Sequence, residues 1–238
     1  MEFEKTYFPL FLLGKKRYCG IKYESVDVGK RQVMGMEATR RDNCLYLKST
    51  QLEFIDKLCD NKPEEAMESL RKRIFDLAHG KVPIEQLVIS KKFGKTDYKN
   101  VQIHVELNDR IKKRTPALAY SLGSRIPYVV VKGSGPLAQR GEDADFITKH
   151  NIPIDLGYYL DKQIVAPMLR LVAPLVGTER ATLFFQRAPQ RGIHDHFTSS
   201  RSTYVPRLLA EGEQDAGPAK KKKKTAVPQK RTLDSYFK

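Results

Sequence analysis

The sequence predicts an α+β protein in which strands come first, a mainly helical region with some strand follows, and a disordered tail ends the chain. Three observations support this. The aromatic and aliphatic run Tyr7 to Leu13 stops at Gly14, as is typical of a buried strand. A stripe of apolar residues at helical spacing follows Pro63. From about Ala188 the apolar periodicity fades, and residues 210–228 are rich in Glu, Gly, Ala, Pro and Lys, a composition that cannot bury a core.

Further strands are predicted on either side of the helical stripe. Residues 15–23 form the second strand, in which alternation would turn Lys15 and Arg17 to one side and Lys16 and Tyr18 to the other. The remaining strands are expected near Gln32 to Glu37 and at Ile126 to Lys132, before the break Gly133 to Pro136.

The helices are predicted from apolar spacing and from their end signals. Leu45, Leu52, Ile55 and Leu58 recur with helical period. The next helix is better marked, because Pro63 suits its first turn, two glutamates follow, and Gly80 can stop it. Two more helices are expected, from about His104 to Lys113 and from Leu156 to about Val176, the second of them kinked at Pro167.

The charge balance favours a polyanionic partner. The 238 residues include 43 Lys and Arg against 28 Asp and Glu, a net charge of +15. Such a surplus attracts nucleic acid, although a solvated basic surface is the open alternative. Three cysteines without CxxC spacing, Cys19, Cys44 and Cys59, predict neither a zinc site nor disulfides and fit an intracellular protein. The apolar stretch Phe8 to Leu13 is too short for a membrane span, so no membrane partner is expected.

Four separated motifs point to one family. They are Lys15-Lys16-Arg17-Tyr18, the segment Glu37 to Asn43, the segment Ser121 to Tyr128, and Asn151 to Asp155 followed by Tyr158-Tyr159. In this order they resemble the C-terminal palm and the thumb of family B DNA polymerases, and the delta-type replicative enzymes are the most similar.

The resemblance implies four regions. Residues 1–40 would be small antiparallel palm strands, residues 41–187 the thumb, residues 188–228 a flexible basic tether, and residues 229–238 a peptide that binds a sliding clamp. The family's fingers, exonuclease and metal-binding aspartates would then lie upstream, on a large subunit that also binds Mg²⁺. We expect this chain to hold no cofactor and no metal, and to take part in nucleotidyl transfer only within such a complex.

The same resemblance assigns the residues that contact DNA. Minor-groove acceptors occur in either orientation of every base pair, so a cation there can probe pairing without reading sequence. Lys16, with or without Lys15, would make that contact, with Arg17 beside it and Tyr18 supporting the strand. Arg40 and Arg41 would bind phosphates, while Asp42 caps the next helix and orients an arginine. Three further residues would follow the duplex backbone: Lys91, Lys92 and Tyr98.

The last residues resemble a clamp-binding peptide. One tight helical turn would place Leu233, Tyr236 and Phe237 on one side as an apolar plug. Lys230 stands where the usual glutamine is expected, with Gln229 one place early, which puts the polar contact in question but not the plug.

The sequence leaves rival functions open. The favoured function is the small subunit of a split polymerase that completes the duplex grip and tethers the enzyme to its clamp at replication sites, in the nucleus if the source is eukaryotic or viral. The lysine run Lys220 to Lys224 would serve import or electrostatic tethering. One alternative is a clamp-recruitment factor without a polymerase partner. Another is a hydrolase that uses either Asp143 with Asp145 or His194 to His196, although neither cluster has the further partners that a metal site needs.

Overall fold

The computed structural model describes residues 5–24, 28–96 and 98–188. Within them, two three-stranded antiparallel sheets, ordered β1-β2-β3 and β4-β5-β6, are packed among helices, which confirms the predicted α+β class. The tail, including the lysine run, residues 194–196 and the clamp-like peptide, lies outside the described residues.

The first sheet has one face on the core and one face open. It consists of β1 (Thr6–Gly14), β2 (Arg17–Tyr23) and β3 (Gly29–Met34). Phe11 and Cys19 lie opposite each other and contact the core, where Cys19 is fully buried. On the other face Leu12, Tyr18 and Met34 form a row across the three strands, and both aliphatic side chains are exposed. Packing of the inner face against the core stabilises the sheet, whereas the row on the outer face is not covered by the described residues.

The expectation that the second strand begins at Lys15 is wrong. Lys15 and Lys16 form the two-residue turn that joins β1 to β2, with Gly14 paired to Arg17. Lys16 has φ of +60°, in the left-handed region. The two lysines therefore do not alternate across a strand, because both lie at the exposed tip of a hairpin.

Two helices follow, of which α1 (Leu45–Cys59) packs against β2 and α2 (Pro63–Ala78) packs against α1. α1 buries Leu47, Phe54 and Ile55, and α2 begins at Pro63 as predicted. Glu64 and Glu65 occupy the first turn of α2, where a negative charge is stabilised by the helix dipole. Gly80 follows with φ of +67°, a conformation that glycine adopts at little cost.

The second sheet carries the basic segment predicted from the sequence. The short helix α3 (Ile84–Leu87) leads into β4 (Ile89–Lys92), α4 (Ile103–Arg114) follows, and β5 (Arg125–Val130) then pairs with both β4 and β6 (Gly141–Glu142). In the ladder Lys91 lies opposite Ile126, and Lys92 lies opposite Arg125.

The C-terminal helices close the core. α5 (Ala144–His150) and α6 (Leu156–Tyr158) precede a π-helical segment, Tyr159–Val165, which runs into α7 (Ala166–Val176) and then α8 (Thr178–Arg187). The single helix expected over this region, with a kink at Pro167, is instead divided by this π segment, and Pro167 lies in the first turn of α7, where its missing backbone N–H is tolerated. Among the described residues no helix is both long and apolar enough to cross a bilayer.

Candidate nucleic-acid interface

A shallow cleft of about 540 Å³ gathers side chains from separate parts of the sequence. It lies where the loop before α1, strand β4, the start of α4 and strand β5 meet. Eight residues line it, and six of them are residues predicted to contact DNA: Arg40, Arg41, Asp42, Lys91, Lys92 and Tyr98, joined by His104 and Arg125. Folding therefore brings together two segments that are about fifty positions apart in the sequence.

Asp42 holds Arg40 in a two-point ion pair at one side of the cleft. Arg40 Nε donates to Asp42 Oδ1 at 3.0 Å and Nη2 donates to Oδ2 at 2.8 Å. Burial alone would raise the pKa of the Asp42 carboxyl, but the hydrogen bonds and charge of Arg40, helped by Lys91, lower it overall. The expected helix cap is wrong, because α1 begins after Cys44 and no side chain caps it.

The other cations of the cleft are available to an anion. Among the described residues no carboxylate lies within ion-pairing distance of Arg41, Lys91 or Lys92. Arg125 is oriented by hydrogen bonds to a neutral residue: its Nε donates to Ser90 Oγ at 2.9 Å, and its Nη2 donates to the Ser90 carbonyl oxygen. The cleft thus combines oriented arginines with lysines that have no acidic partner.

His104 forms part of the wall beneath these cations. It lies in the first turn of α4, is 3% exposed, and its ring meets Tyr98 edge-on with centroids 5.8 Å apart. Neither ring nitrogen makes a hydrogen bond of normal geometry with the described residues. Burial lowers the pKa of His104, and the charge of Lys91 lowers it further.

The Lys15-Lys16 tip is a separate feature that does not line the cleft. Both lysines are exposed, whereas the next two predicted contact residues are engaged in the fold. Arg17 Nη2 lies 3.2 and 3.1 Å from the two carboxylate oxygens of Glu37. The Tyr18 ring packs edge-on against Tyr7, with centroids 5.8 Å apart. The structure thus gives Arg17 and Tyr18 internal partners, while the lysine pair at the tip has no ion-pair partner among the residues that the structure describes.

The acidic cluster that suggested a hydrolase has a structural role. Asp143 precedes α5, and its Oδ2 accepts hydrogen bonds from the backbone N–H groups of Asp145 at 3.1 Å and Phe146 at 3.2 Å. This is ordinary helix capping. The described part of the chain contains no group of three or more His, Cys, Asp or Glu side chains that could share a metal ion. His194 to His196 and the clamp-binding residues Lys230, Leu233, Tyr236 and Phe237 lie outside it.

Sequence reasoning missed His104, Arg125 and the ion-pair cluster around Glu37. A signal existed for two of them, because Glu37 and Arg125 both lie inside motifs that carried the family resemblance. No comparable signal marked His104, whose position at the cleft depends on how α4 packs against β5 and β6.

Comparison with known proteins identifies the family. The model for DNA polymerase family B matches residues 1–175. The DNA polymerase delta catalytic subunit of Bos taurus is 40% identical over 217 residues, covering 88% of this chain and 19% of that protein. That of Dictyostelium discoideum is 38% identical over 180 residues, covering 74% and 16%.

A solved structure agrees with these relatives. The family B DNA polymerase from the hyperthermophilic archaeon Pyrobaculum calidifontis superposes with a TM-score of 0.58 at 25% identity, over 74% of this chain and 22% of that one. The chain spans less than a fifth of the length of the curated relatives that it matches. It belongs to DNA polymerase family B and is related there to the delta catalytic subunits.

Proposed function

We propose that this chain is the C-terminal palm and thumb portion of a delta-type polymerase, acting as a separate subunit that holds the primer–template duplex. The single observation that carries the proposal is the cleft: predicted DNA-contacting residues from two separate segments line one cationic surface. A copying enzyme needs affinity for any sequence, and contacts to phosphates supply it.

The charge of the cleft favours phosphate over other ligands. Its only carboxylate among the described residues is Asp42, which is already engaged by Arg40. Arginine forks bind phosphate oxygens at two points, and lysines add charge without a geometric demand. The proposed backbone contacts are therefore Arg40, Arg41, Lys91, Lys92 and Tyr98, with Arg125 beside them.

The hairpin tip is the proposed minor-groove probe. Lys15 and Lys16 project from a two-residue turn, so their ammonium groups can enter a groove that is about 6 Å wide without a strand following them. Arg17, by contrast, is bound to Glu37 and stabilises the base of the hairpin. We assign duplex contact at this tip to the two lysines.

The open face of the first sheet is the proposed docking surface for the rest of the polymerase. Phe8 is 74% exposed and Leu12 is 70% exposed, and Leu12 continues into the row with Tyr18 and Met34. Exposed apolar area of this kind usually marks an interface. Since the relatives are about five times longer than the matched region, the proposed occupant is a large subunit that carries their remaining segments, including carboxylates that bind Mg²⁺.

The tail is proposed to reach a sliding clamp. Support comes from the sequence pattern of Leu233, Tyr236 and Phe237 after a basic segment that could act as a tether. Phe237→Ala should abolish binding to the clamp while duplex affinity stays nearly unchanged. Equal loss of both would contradict the tether. Because the matched relatives are eukaryotic, we place this activity at nuclear replication sites.

Reconstitution tests the proposal. Adding this chain to a polymerase large subunit that lacks a thumb should restore primer extension, and Leu12→Glu should prevent the two from co-purifying. Leu118→Glu is the matched control, since Leu118 is 68% exposed but lines a different groove, with residues of α4 and α5. If the native protein co-purifies with no polymerase subunit, the clamp-recruitment alternative replaces the proposal.

A further inference from the structure

His104 is a buried titratable group to which the proposed function assigns no role. Its ring nitrogens are shielded from solvent and lack normal hydrogen bonds to the described residues, although a buried polar side chain ordinarily has a partner. It is also one of the residues that line the cleft. A buried imidazole that has no hydrogen bond of normal geometry to the described residues, in the wall of a cationic cleft, is a candidate for a role that appears only when an anion binds.

The surroundings of His104 keep it neutral in the free protein. Burial and the positive charge of Lys91 disfavour the imidazolium, and the N-terminal end of α4 adds a positive partial charge. The contact between the ring and the Lys92 backbone acts in the opposite direction, because it raises the pKa of His104. The neutral state therefore depends first on burial and second on positive potential, and a bound anion would cancel the second of these.

The charged groups around the ring define the direction of the effect. Arg140 and Glu142 lie on elements packed against α4, and neither lines the cleft. Arg140 forms an ion pair with Asp155. Glu142 forms ion pairs with Arg110 and Arg114. The groups that line the cleft with His104 come from the loop before α1, from β4, from the segment after it and from β5: Arg40, Arg41, Asp42, Lys91, Lys92, Tyr98 and Arg125.

We propose that His104 takes up a proton when a backbone phosphate of the duplex enters the cleft, so that the chain grips DNA more tightly as the pH falls. The inference rests on the proposed function, because it requires the cleft to bind the duplex. The phosphate neutralises the surrounding cations and thereby weakens the charge repulsion that, together with burial, keeps the imidazole unprotonated in the free protein. His104 acts here through the local potential, and it need not touch the phosphate.

The sign of the pH dependence follows from linkage. A base whose pKa is higher in the bound state than in the free state adds affinity at low pH. That added affinity is fully present below the free-state pKa and is lost as the pH rises through the bound-state pKa. Because the pKa of His104 is lowered in the free protein, the gain should be complete only below about pH 6.5, the ordinary value for histidine.

Duplex affinity against pH tests the proposal. Binding of the full chain to a primed duplex, followed by fluorescence anisotropy at constant ionic strength, should become about three- to tenfold tighter between pH 7.5 and 5.5. His104→Gln should flatten this dependence. His150→Gln, which changes an exposed histidine on α5 that does not line the cleft, should retain it. Equal pH dependence in the wild type and in His104→Gln would overturn the inference.

A measurement on the unmutated protein guards against a variant that fails to fold. The C2–H resonance of His104 should titrate at higher pH with a bound 12-base-pair duplex than without it, and an unchanged titration would overturn the inference. Failure of the proposed function looks different: the wild type would then bind no duplex at any pH.

Discussion

Arg17 and Glu37 form a two-oxygen ion pair, with Nη2 of the arginine 3.2 and 3.1 Å from Oε1 and Oε2 of the carboxylate. Glu37 also accepts from Gln51 Nε2 at 3.0 Å and from Arg170 Nη2 at 2.7 Å. One carboxylate thus connects β2, α1 and α7, three residues before Arg40. The hairpin that bears the lysine tip and the loop that bears the phosphate-binding arginines share this anchor.

Replacing Glu37 should make stability depend less on pH. Burial alone would raise the Glu37 pKa, but hydrogen bonds from Gln51 and Arg170 and the charge of Arg17 lower it overall. A lowered folded-state pKa gives stability that is present above the unfolded value, about 4.5, and is lost as the pH falls through the folded value. Glu37→Gln should cost about 1–3 kcal/mol at pH 7.

Urea denaturation between pH 3 and pH 7 measures this effect. The difference in unfolding free energy between the wild type and Glu37→Gln should shrink towards the acid end of the range. A difference that stays constant with pH would show that the ionised carboxylate is not what holds the three elements together.

A methyl group at position 35 should disturb the hairpin. Gly35 has φ of +67°, and a Cβ there would collide with the Lys16 carbonyl oxygen. Gly123 also has positive φ, +89°, but a Cβ at that position would meet nothing within 4 Å. Thermal unfolding should show Gly35→Ala to be more destabilising than Gly123→Ala, by about 1 kcal/mol or more, because only the former adds a clash to the backbone strain. Equal losses would contradict the close packing under the lysine turn.

The lysine tip should matter for extension and not for stability. Lys16→Ala is expected to reduce primer extension by the reconstituted enzyme about tenfold, the typical loss for one charged hydrogen bond. Lys30→Ala is the matched control, because Lys30 lies far from the tip. It is opposite Lys22 in the sheet, and Lys22 lies about 17 Å along the strand from Arg17. Unchanged extension by Lys16→Ala would remove that residue from the interface.

Glu142 should be a strong determinant of stability. It is 5% exposed and accepts from Arg110 at 3.2 Å and from Arg114 at 2.7 Å, while the Arg114 guanidinium also covers the Phe146 ring. Glu142→Ala would leave two half-buried arginines without their carboxylate, at a cost of about 2–4 kcal/mol. Asp42→Ala, which breaks an exposed pair, should cost less than about 1 kcal/mol. Urea denaturation of both variants measures the two losses in unfolding free energy. A larger loss for Asp42→Ala than for Glu142→Ala would contradict the prediction.

Local signals predicted the helices better than the turns. Pro63 and Gly80 bound α2 almost as expected because they act on their own backbone. The β1–β2 turn was missed because Lys16 adopts a positive φ that the sequence does not announce, since glycine or asparagine usually marks such a position. The helix α8 was not predicted, and it begins after Gly177, whose positive φ of +89° separates it from α7.

The sequence predicted most of the residues of the candidate interface, but it did not predict which of them lie together or which are bound by other side chains. Motif order supplied Arg40, Arg41, Lys91 and Lys92, but the sequence gives no distance between the two segments that bear them. It also placed Arg17 on the DNA side, whereas folding brings Glu37 within reach and binds it internally. Tertiary packing decides which charged groups remain available, and that information is not local.

The central claim is that the cationic cleft holds the duplex by its phosphates, and the salt dependence of duplex affinity tests it most directly. Arg41→Ala combined with Lys91→Ala should weaken binding to primed duplexes of different sequence equally. It should also lower the slope of log affinity against log salt by about 0.9 for each contact removed, whereas Lys62→Ala, at the residue before α2, should change neither. An unchanged slope in the double variant, or no affinity of the wild-type chain for primed duplex even at low salt, would contradict the account.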